Sequence, residues 1–581
     1  MNDRTGIYGL FNLDGAPLEP RDAAILALPV DLDARACASV HAVDLADPGA
    51  VQTDRTGDAV TVLLGRMGDV AALAARLGMD ARTPGATLAR EALRRFGPDI
   101  RHIVAGEWTL LHQEQGCVTL ASSLAMRDRL LYAHKGTRLA LGPDLRQLSR
   151  LSWVCGDLDD TGLLFALGRQ DLRAAMGDRT VLADVRALDP GGHVSFRTSH
   201  RRAAPRALPA RAPSWRGGFE DAMEQGQALL EQSVREQMWS DRIGCLLSGG
   251  LDSSTLAWLV ARNRQPQTTI RCLTSTAPPG SGLADETPAA GIVASHLGLP
   301  MDPIIPDEPA SAYRPTTALL RESNGPALGP RHYLYDAFAA HSTALRIPLL
   351  FDGQFGEYTF TYPFALWSLR ERARDAVRRL RAYREGIGTP APEQHFHVFI
   401  PRQRLTAAPG PVAAALAAPP NPTRPPARGK PWGMLPGFQK ILAAPASLAL
   451  GAVRIAQPFR DPRLLTFFSG LPANLLQRRG QDRVPVRHIL TGQLPDTIRL
   501  QAKGLPISPD YEARLIRQAT EARSRIGRFR RAGIDEWLDL DDLDAALAQI
   551  AAGRACDQNQ LFKAQLTAMT AEFILWWRDP S

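Results

Sequence analysis

The stretch RIGCLLSGGLDSSTLAWL, residues 242–259, decides how this chain reads. Residues 243–247 form an unbroken apolar run, which predicts a buried strand. Ser248, Gly249 and Gly250 follow as a tight turn. Asp252, Ser253 and Ser254 then open a helix whose apolar side carries Leu256 and Leu259. Paired glycines permit backbone angles that other residues resist, and they keep side chains clear of the turn. The first N–H groups of the helix then point at an anion, with the helix dipole behind them. The hydroxyls of Ser248, Ser253 and Ser254 add further donors. Asp252 is the odd member, because a carboxylate repels phosphate unless a cation lies between them. Mg²⁺ takes carboxylate and phosphate oxygens together, so Asp252 is a candidate metal ligand. No G-x-x-x-x-G-K-[ST] pattern occurs, so the loop is not of the Walker type.

Outward from this loop, residues 269–275 (TIRCLTS) read as the next strand. Residues 285–299 (DETPAAGIVASHLGL) read as a helix with Asp285 and Glu286 at its start. Residues 347–358 (IPLLFDGQFGEY) run from an apolar strand into the turn Asp352–Gly353 and then to Glu357. Strands alternating with helices predict a parallel α/β sheet. In such a sheet the strand carboxyl ends line the ligand crevice. Asp252 and Glu357 are therefore expected on two loops of one crevice, able to share Mg²⁺.

Residues 1–205 differ in character. Short apolar runs at 7–13, 60–64, 103–111, 118–121 and 138–141 are separated by Gly, Asp and Pro, which predicts a β-rich domain. Residues 69–78 and 86–96 read as helices between them. Residues 206–218, rich in Pro, Arg and Ala, read as a linker. A helix is predicted from Phe219, and residues 219–581 form the second domain. Residues 401–436 contain AAPPNPTRPPARGKPWG and read as a long surface loop. The rest is expected to be mainly helical, ending in FKAQLTAMTAEFILWW.

Composition excludes several classes. The 581 residues carry 45% hydrophobic side chains and a net charge of only +8, without a Lys/Arg run interleaved with aromatics, so nucleic acid is not an expected partner. The most apolar run, residues 441–456, is short and interrupted by Pro445, so no membrane span is expected. Six scattered cysteines make no C-x-x-C pair, and the start lacks a secretory signal pattern. A cytoplasmic protein with reduced thiols is expected. Lysine is scarce, with only Lys135, Lys430, Lys440, Lys503 and Lys563.

SGGLDSS resembles the signature of the PP-loop ATP pyrophosphatases, and the whole chain resembles the asparagine synthetase family. FDGQFGE is similar to that family's G-x-G-x-D-E magnesium loop, with Phe355 in place of a glycine and Glu357 in place of aspartate. PFRDPRLLTFFSGLP (458–472) resembles its P-F-x-D-x-x-L helix. VPVRHILTGQLPDTIRLQAKG (484–504) resembles the closing segment that ends in a catalytic lysine, here Lys503. The resemblance implies an N-terminal Ntn-hydrolase-like, glutamine-amidotransferase-like α+β domain. It also implies a PP-loop parallel-sheet α/β synthetase domain with a helical C-terminal part.

It further implies ATP and Mg²⁺ as cofactors. Leu247, Ser248, Gly249, Gly250, Asp252, Ser253, Ser254, Thr274, Asp352 and Gly353 would bind nucleotide, Asp252 and Glu357 the metal, and Lys503 and Asp252 would serve catalysis. TGIYGLFNLDG (5–15) is similar to the family's opening strand, but Thr5 stands where the family has its nucleophilic cysteine. Glutaminase chemistry needs that thiol, so the first domain is expected to be glutaminase-inactive.

Among members that lack the thiol, the chain is most like the lasso peptide cyclases. That implies adenylation of an acidic side chain in a precursor peptide and attack by the peptide's α-amine. A leader-peptide-binding protein and a protease of the same pathway would be partners. The alternative is an asparagine synthetase or β-lactam synthetase-like ligase acting on a small molecule.

Overall fold

The computed structural model describes residues 4–28, 37–126, 130–169, 172–173, 175–205, 214–326, 329–361, 395–417, 451–476, 481–502, 508–554 and 557–579. The first half holds two antiparallel sheets. One has the order β2(Ala38–Val43), β1(Gly6–Asn12), β8(Arg138–Gly142), β7(Leu130–Lys135), β9(Val185–Leu188). The other has the order β11(His200–Ala203), β10(His193–Arg197), β6(Cys117–Ser122), β5(Gly106–Glu114), β4(Ala59–Met67), β3(Val51–Thr56).

Alternation along the strands stacks these sheets. Ile7, Phe11, Val62, Leu64, Leu120, Tyr132, Leu139 and Leu141 point into one core between them. Leu63, Trp108, Leu110 and Ala121 point the other way, onto α1(Val70–Leu77) and α2(Gly85–Phe96). Tyr8, Leu10, Leu131, Ala133 and Ala140 face a third core that continues into the second half of the chain.

That second half is built on a five-stranded parallel sheet. Its order is β14(Met301–Ile304), β13(Thr269–Ser275), β12(Arg242–Leu246), β15(Leu349–Phe351), β16(Arg454–Ala456). Every neighbouring pair is parallel, with Cys245 opposite both Cys272 and Phe351. One face carries Ile243, Cys245, Cys272, Leu349 and Phe351 against α3(Phe219–Gln237), α4(Leu251–Arg262), α5(Thr287–Leu297) and later helices. The other carries Leu246, Leu273, Leu350 and Ile455, with Leu334 and Phe338 of α6(His332–Ala344). β12 is flanked by β13, which follows it, and by β15, which arrives later. The strand order therefore reverses there, and a crevice opens at the carboxyl ends of β12 and β15.

The last helix, α7(Gln558–Arg578), buries Phe573, Ile574 and Leu575 in the shared core. Trp577 donates from its ring N–H to the Gly156 carbonyl, and the Arg146 guanidinium lies 4.3 Å from the Trp576 ring centre. The two halves are thus welded, with Arg4 adding hydrogen bonds to Arg321, Glu322 and Asn324.

One sequence expectation needs correction. Part of the predicted surface loop forms two short helices, Arg402–Thr406 and Gly410–Ala417, and Leu405 and Val412 are buried in the shared core. Prolines at their starts cost nothing there, and the run of alanines favours a helix once the helix Asp160–Leu167 packs against it. Residues 418–450 lie outside the described residues, so the segment near residue 420 and most of the apolar run at 441–456 do as well. No helix among the described residues is long and apolar enough to cross a membrane.

Candidate functional site

The loop between β12 and α4 is held by its own chemistry. The Leu247 N–H donates to the Leu273 carbonyl, closing the end of the sheet. Gly249 adopts φ +71, and a Cβ there would sit 2.5 Å from the Ala289 Cβ on α5, so glycine is required twice over. The hydroxyls of Ser248 and Ser253 lie 2.9 Å apart, and Ser253 donates to the Gly250 carbonyl. Gly250 caps α4 without a side-chain bond, so the first N–H groups of that helix remain available to an anion. Three buried hydroxyls, on Ser254, Thr274 and Ser275, have no hydrogen-bond partner among the described residues. They lie on the first turn of α4 and the end of β13. Buried hydroxyls at the mouth of this loop are suited to hydrogen-bond a polar ligand.

The loop after β15 packs directly against this one. A Cβ on Gly353 would come 2.8 Å from the Ser253 amide nitrogen, and a Cβ on Gly356 would come 1.8 Å from Asp252 Oδ1. Both glycines exist because the loops touch. Thr361 donates to Asp252 Oδ1 at 2.5 Å. Asp352 is 4% exposed and accepts from the Gln354 amide and the Gln457 side chain. Glu357 is exposed at the rim and acts electrostatically on Asp252. Burial pushes the Asp252 carboxyl up to about 7. Thr361 opposes that rise, Glu357 adds to it, Arg483 opposes it, and Asp352 adds to it. Among the described residues no group of three or more His, Cys, Asp or Glu could hold a metal alone. A cation at Asp252 and Glu357 would complete its shell with phosphate oxygens, which suits Mg²⁺.

The structure therefore brings Leu247, Ser248, Gly249, Gly250, Asp252, Ser253, Ser254, Thr274, Asp352, Gly353 and Glu357 to one crevice. Lys503 lies outside the described residues. Gln501, two positions earlier in the chain, reaches the Gly249 carbonyl with its side-chain amide. His488, within the closing segment, pairs with Glu220 at 2.9 Å, and His332 is buried 3.9 Å from Asp336.

Sequence reasoning missed Gly356, Thr361 and Arg483 as neighbours of Asp252. No spacing signal links them to it, since Thr361 is 109 residues away. Phe355 adopts φ +73, the left-handed region that glycine favours, and the Arg460 guanidinium lies 5.1 Å from its ring centre. The sequence had shown the missing glycine there but not its price in backbone strain.

The family described as asparagine synthase matches residues 225–384 and 439–578, more than half of the chain. Among solved structures, glutamine phosphoribosylpyrophosphate (PRPP) amidotransferase from B. subtilis complexed with ADP and GMP is 10% identical. It covers 55% of this chain and 64% of its own, with a TM-score of 0.23. A structure described as the allosteric regulatory enzyme of purine biosynthesis is 11% identical, covering 55% of this chain and 63% of its own, with a TM-score of 0.23. The chain thus spans less than two thirds of the length of either. No curated protein matches it.

Proposed function

The chain belongs to the asparagine synthase family and is by that membership an ATP-dependent carbon–nitrogen ligase; from this premise we propose that it closes a macrolactam within a precursor peptide. One observation carries the nucleotide half of this reading. The loop of Ser248–Ser254 and the loop of Asp352–Glu357 are packed together at the sheet's switch point, with Asp252 between them.

The uncapped start of α4 and the hydroxyls of Ser248, Ser253 and Ser254 hold the phosphates. Leu247, Thr274 and Gly353, at the ends of three adjacent strands, border the adenosine. Asp252 and Glu357 would hold Mg²⁺, which would supply neutralisation of the phosphate charge. A side-chain carboxylate of the peptide attacks the α-phosphorus, forming an O–P bond while pyrophosphate leaves with the electron pair. The peptide's α-amine then attacks the acyl carbon, the C–N bond forms, and AMP leaves. Lys503 supports the negative charge of both steps. Holding amine and acyl group in one crevice replaces a loop-closure search.

The first half supports an amine source other than glutamine. We read its stacked antiparallel sheets as a glutamine-amidotransferase-like, Ntn-hydrolase-like domain over residues 1–205 that lacks the nucleophile. Thr5 precedes β1, its hydroxyl accepts from the Leu45 N–H, and Arg4 before it is buried among residues of the second half. A leader-peptide-binding protein and a protease of the same pathway are the proposed partners, in the cytoplasm.

Two measurements test this. Asp252→Ala is expected to abolish peptide-dependent pyrophosphate release, and unchanged release would remove the metal assignment. A substrate scan compares peptides bearing an acidic residue near a free N-terminus with aspartate and other small amino acids. Turnover of the small molecules alone would replace the cyclase by a small-molecule ligase.

A further inference from the structure

Glu286 is a buried carboxylate that the reaction above does not use. It is 8% exposed, and among the described residues its side chain makes no hydrogen bond and no ion pair. Its neighbour Asp285 is occupied, accepting from the N–H groups of Ala277 and Thr287. An unpaired buried carboxylate costs several kcal/mol, so its place asks for a partner.

Two independent contacts locate it. Glu286 is the N-cap residue of α5, and the first turn of α5 is the surface against which Gly249 packs. Across from Glu286 stands Arg331, whose Nε is buried without a partner and whose charge acts on Glu286 without a salt bridge. Arg331 precedes α6 by one turn from Tyr335, and the Tyr335 hydroxyl accepts from Gln354 in the loop of Asp352–Glu357. Glu286 is therefore tied to one phosphate-side loop and Arg331 to the other. The unpartnered hydroxyls of Thr274 and Ser275 lie at the end of β13, beside the Ala277 that Asp285 holds.

We propose that Glu286 receives the attacking primary alkylamine, accepting its N–H hydrogen bonds and taking the proton that nitrogen releases. This rests on the ligase reading above. The amine lone pair forms the C–N bond to the acyl carbon, the acyl C–O bond breaks with its electrons leaving on AMP, and the nitrogen's proton passes to the Glu286 carboxylate and then to solvent. A metal is the poorer occupant, because no third ligating side chain joins Glu286 and Asp285 among the described residues. Arg331 favours the ionised carboxylate but is outweighed by burial, so the fraction able to take a proton grows as pH rises. Burial, with Asp285 adding and Arg331 opposing, pushes the Glu286 carboxyl up to about 8, close to the operating range of a base.

The test uses the full chain with ATP, Mg²⁺ and a set of synthetic peptides carrying a free N-terminus and one acidic residue. Three readouts are compared in wild type and Glu286→Gln: ATP–pyrophosphate exchange, amide formation by the peptide amine, and hydroxamate formation with hydroxylamine, a weakly basic nucleophile that needs no base. Amide formation is expected to fall about 100-fold, while exchange and hydroxamate formation persist and report an intact fold. Unchanged amide formation, or equal loss of all three, overturns the role of Glu286. Absence of exchange in wild type removes the ligase reading itself. Should Glu286→Gln fail to fold, Glu286→Asp decides, since it keeps the carboxylate and withdraws it by one methylene. A fall in amide formation with exchange and hydroxamate formation kept is expected, and no change in any of the three overturns the proposal.

Discussion

The Thr361 hydroxyl donates to Oδ1 of Asp252 across 2.5 Å of space and 109 residues of chain. It fixes the rotamer of the carboxylate at the mouth of the phosphate loop and leaves the second oxygen for a cation. A hydrogen bond to a charged group contributes about 1.5–3 kcal/mol. Thr361→Val is therefore expected to lower pyrophosphate release about 10- to 100-fold and to raise the Mg²⁺ needed for half-maximal rate. Thr361→Ser, which keeps the donor, should restore both. Metal titrations of the rate check this.

Gly356 leaves the space that Asp252 fills. Because an added Cβ would meet Oδ1 at 1.8 Å, Gly356→Ala should displace the carboxylate, abolish activity and destabilise the fold. Adding Asp252→Ala removes the clashing atom, so the double variant should regain stability while staying inactive. Urea unfolding of the single and double variants measures this coupling.

Phe355 holds a left-handed backbone angle that costs a non-glycine residue about 1 kcal/mol. Phe355→Ala loses the ring and its Arg460 contact but keeps the strain, whereas Phe355→Gly loses the ring and relieves the strain. The glycine variant should therefore be more stable than the alanine variant by about 1 kcal/mol. Equal unfolding midpoints would show that the strain is absent in solution.

Stability should fall as pH rises across the neutral range. Burial raises Asp252 from 3.8 to about 7 and Glu286 from 4.5 to about 8, so the folded chain holds protons that the unfolded chain releases. Each contribution is complete below the unfolded value and lost as pH climbs through the folded one. Asp252→Asn and Glu286→Gln should melt higher than wild type near pH 8 and show no such gain near pH 4. His193 and His397, lowered to about 4 by burial, act in the opposite sense as pH falls from 6.5. Differences between variant and wild type at each pH cancel that background.

The phosphate loop was legible in residues 242–259 because strand, turn and uncapped helix are contiguous, and the glycines and hydroxyls it needs are local requirements. Short apolar runs bounded by Gly, Asp and Pro likewise announced strands such as Gly6–Asn12 and Ala59–Met67, since a strand buried on both faces needs apolar residues in succession. Only the tertiary structure could seat β15 beside β12. That placement brings Gly356 and Thr361 onto Asp252 and sets Arg331 opposite Glu286. Such contacts join segments tens to hundreds of residues apart, and no local period or spacing encodes them. They come from which strands pair and which way the chain turns after each one.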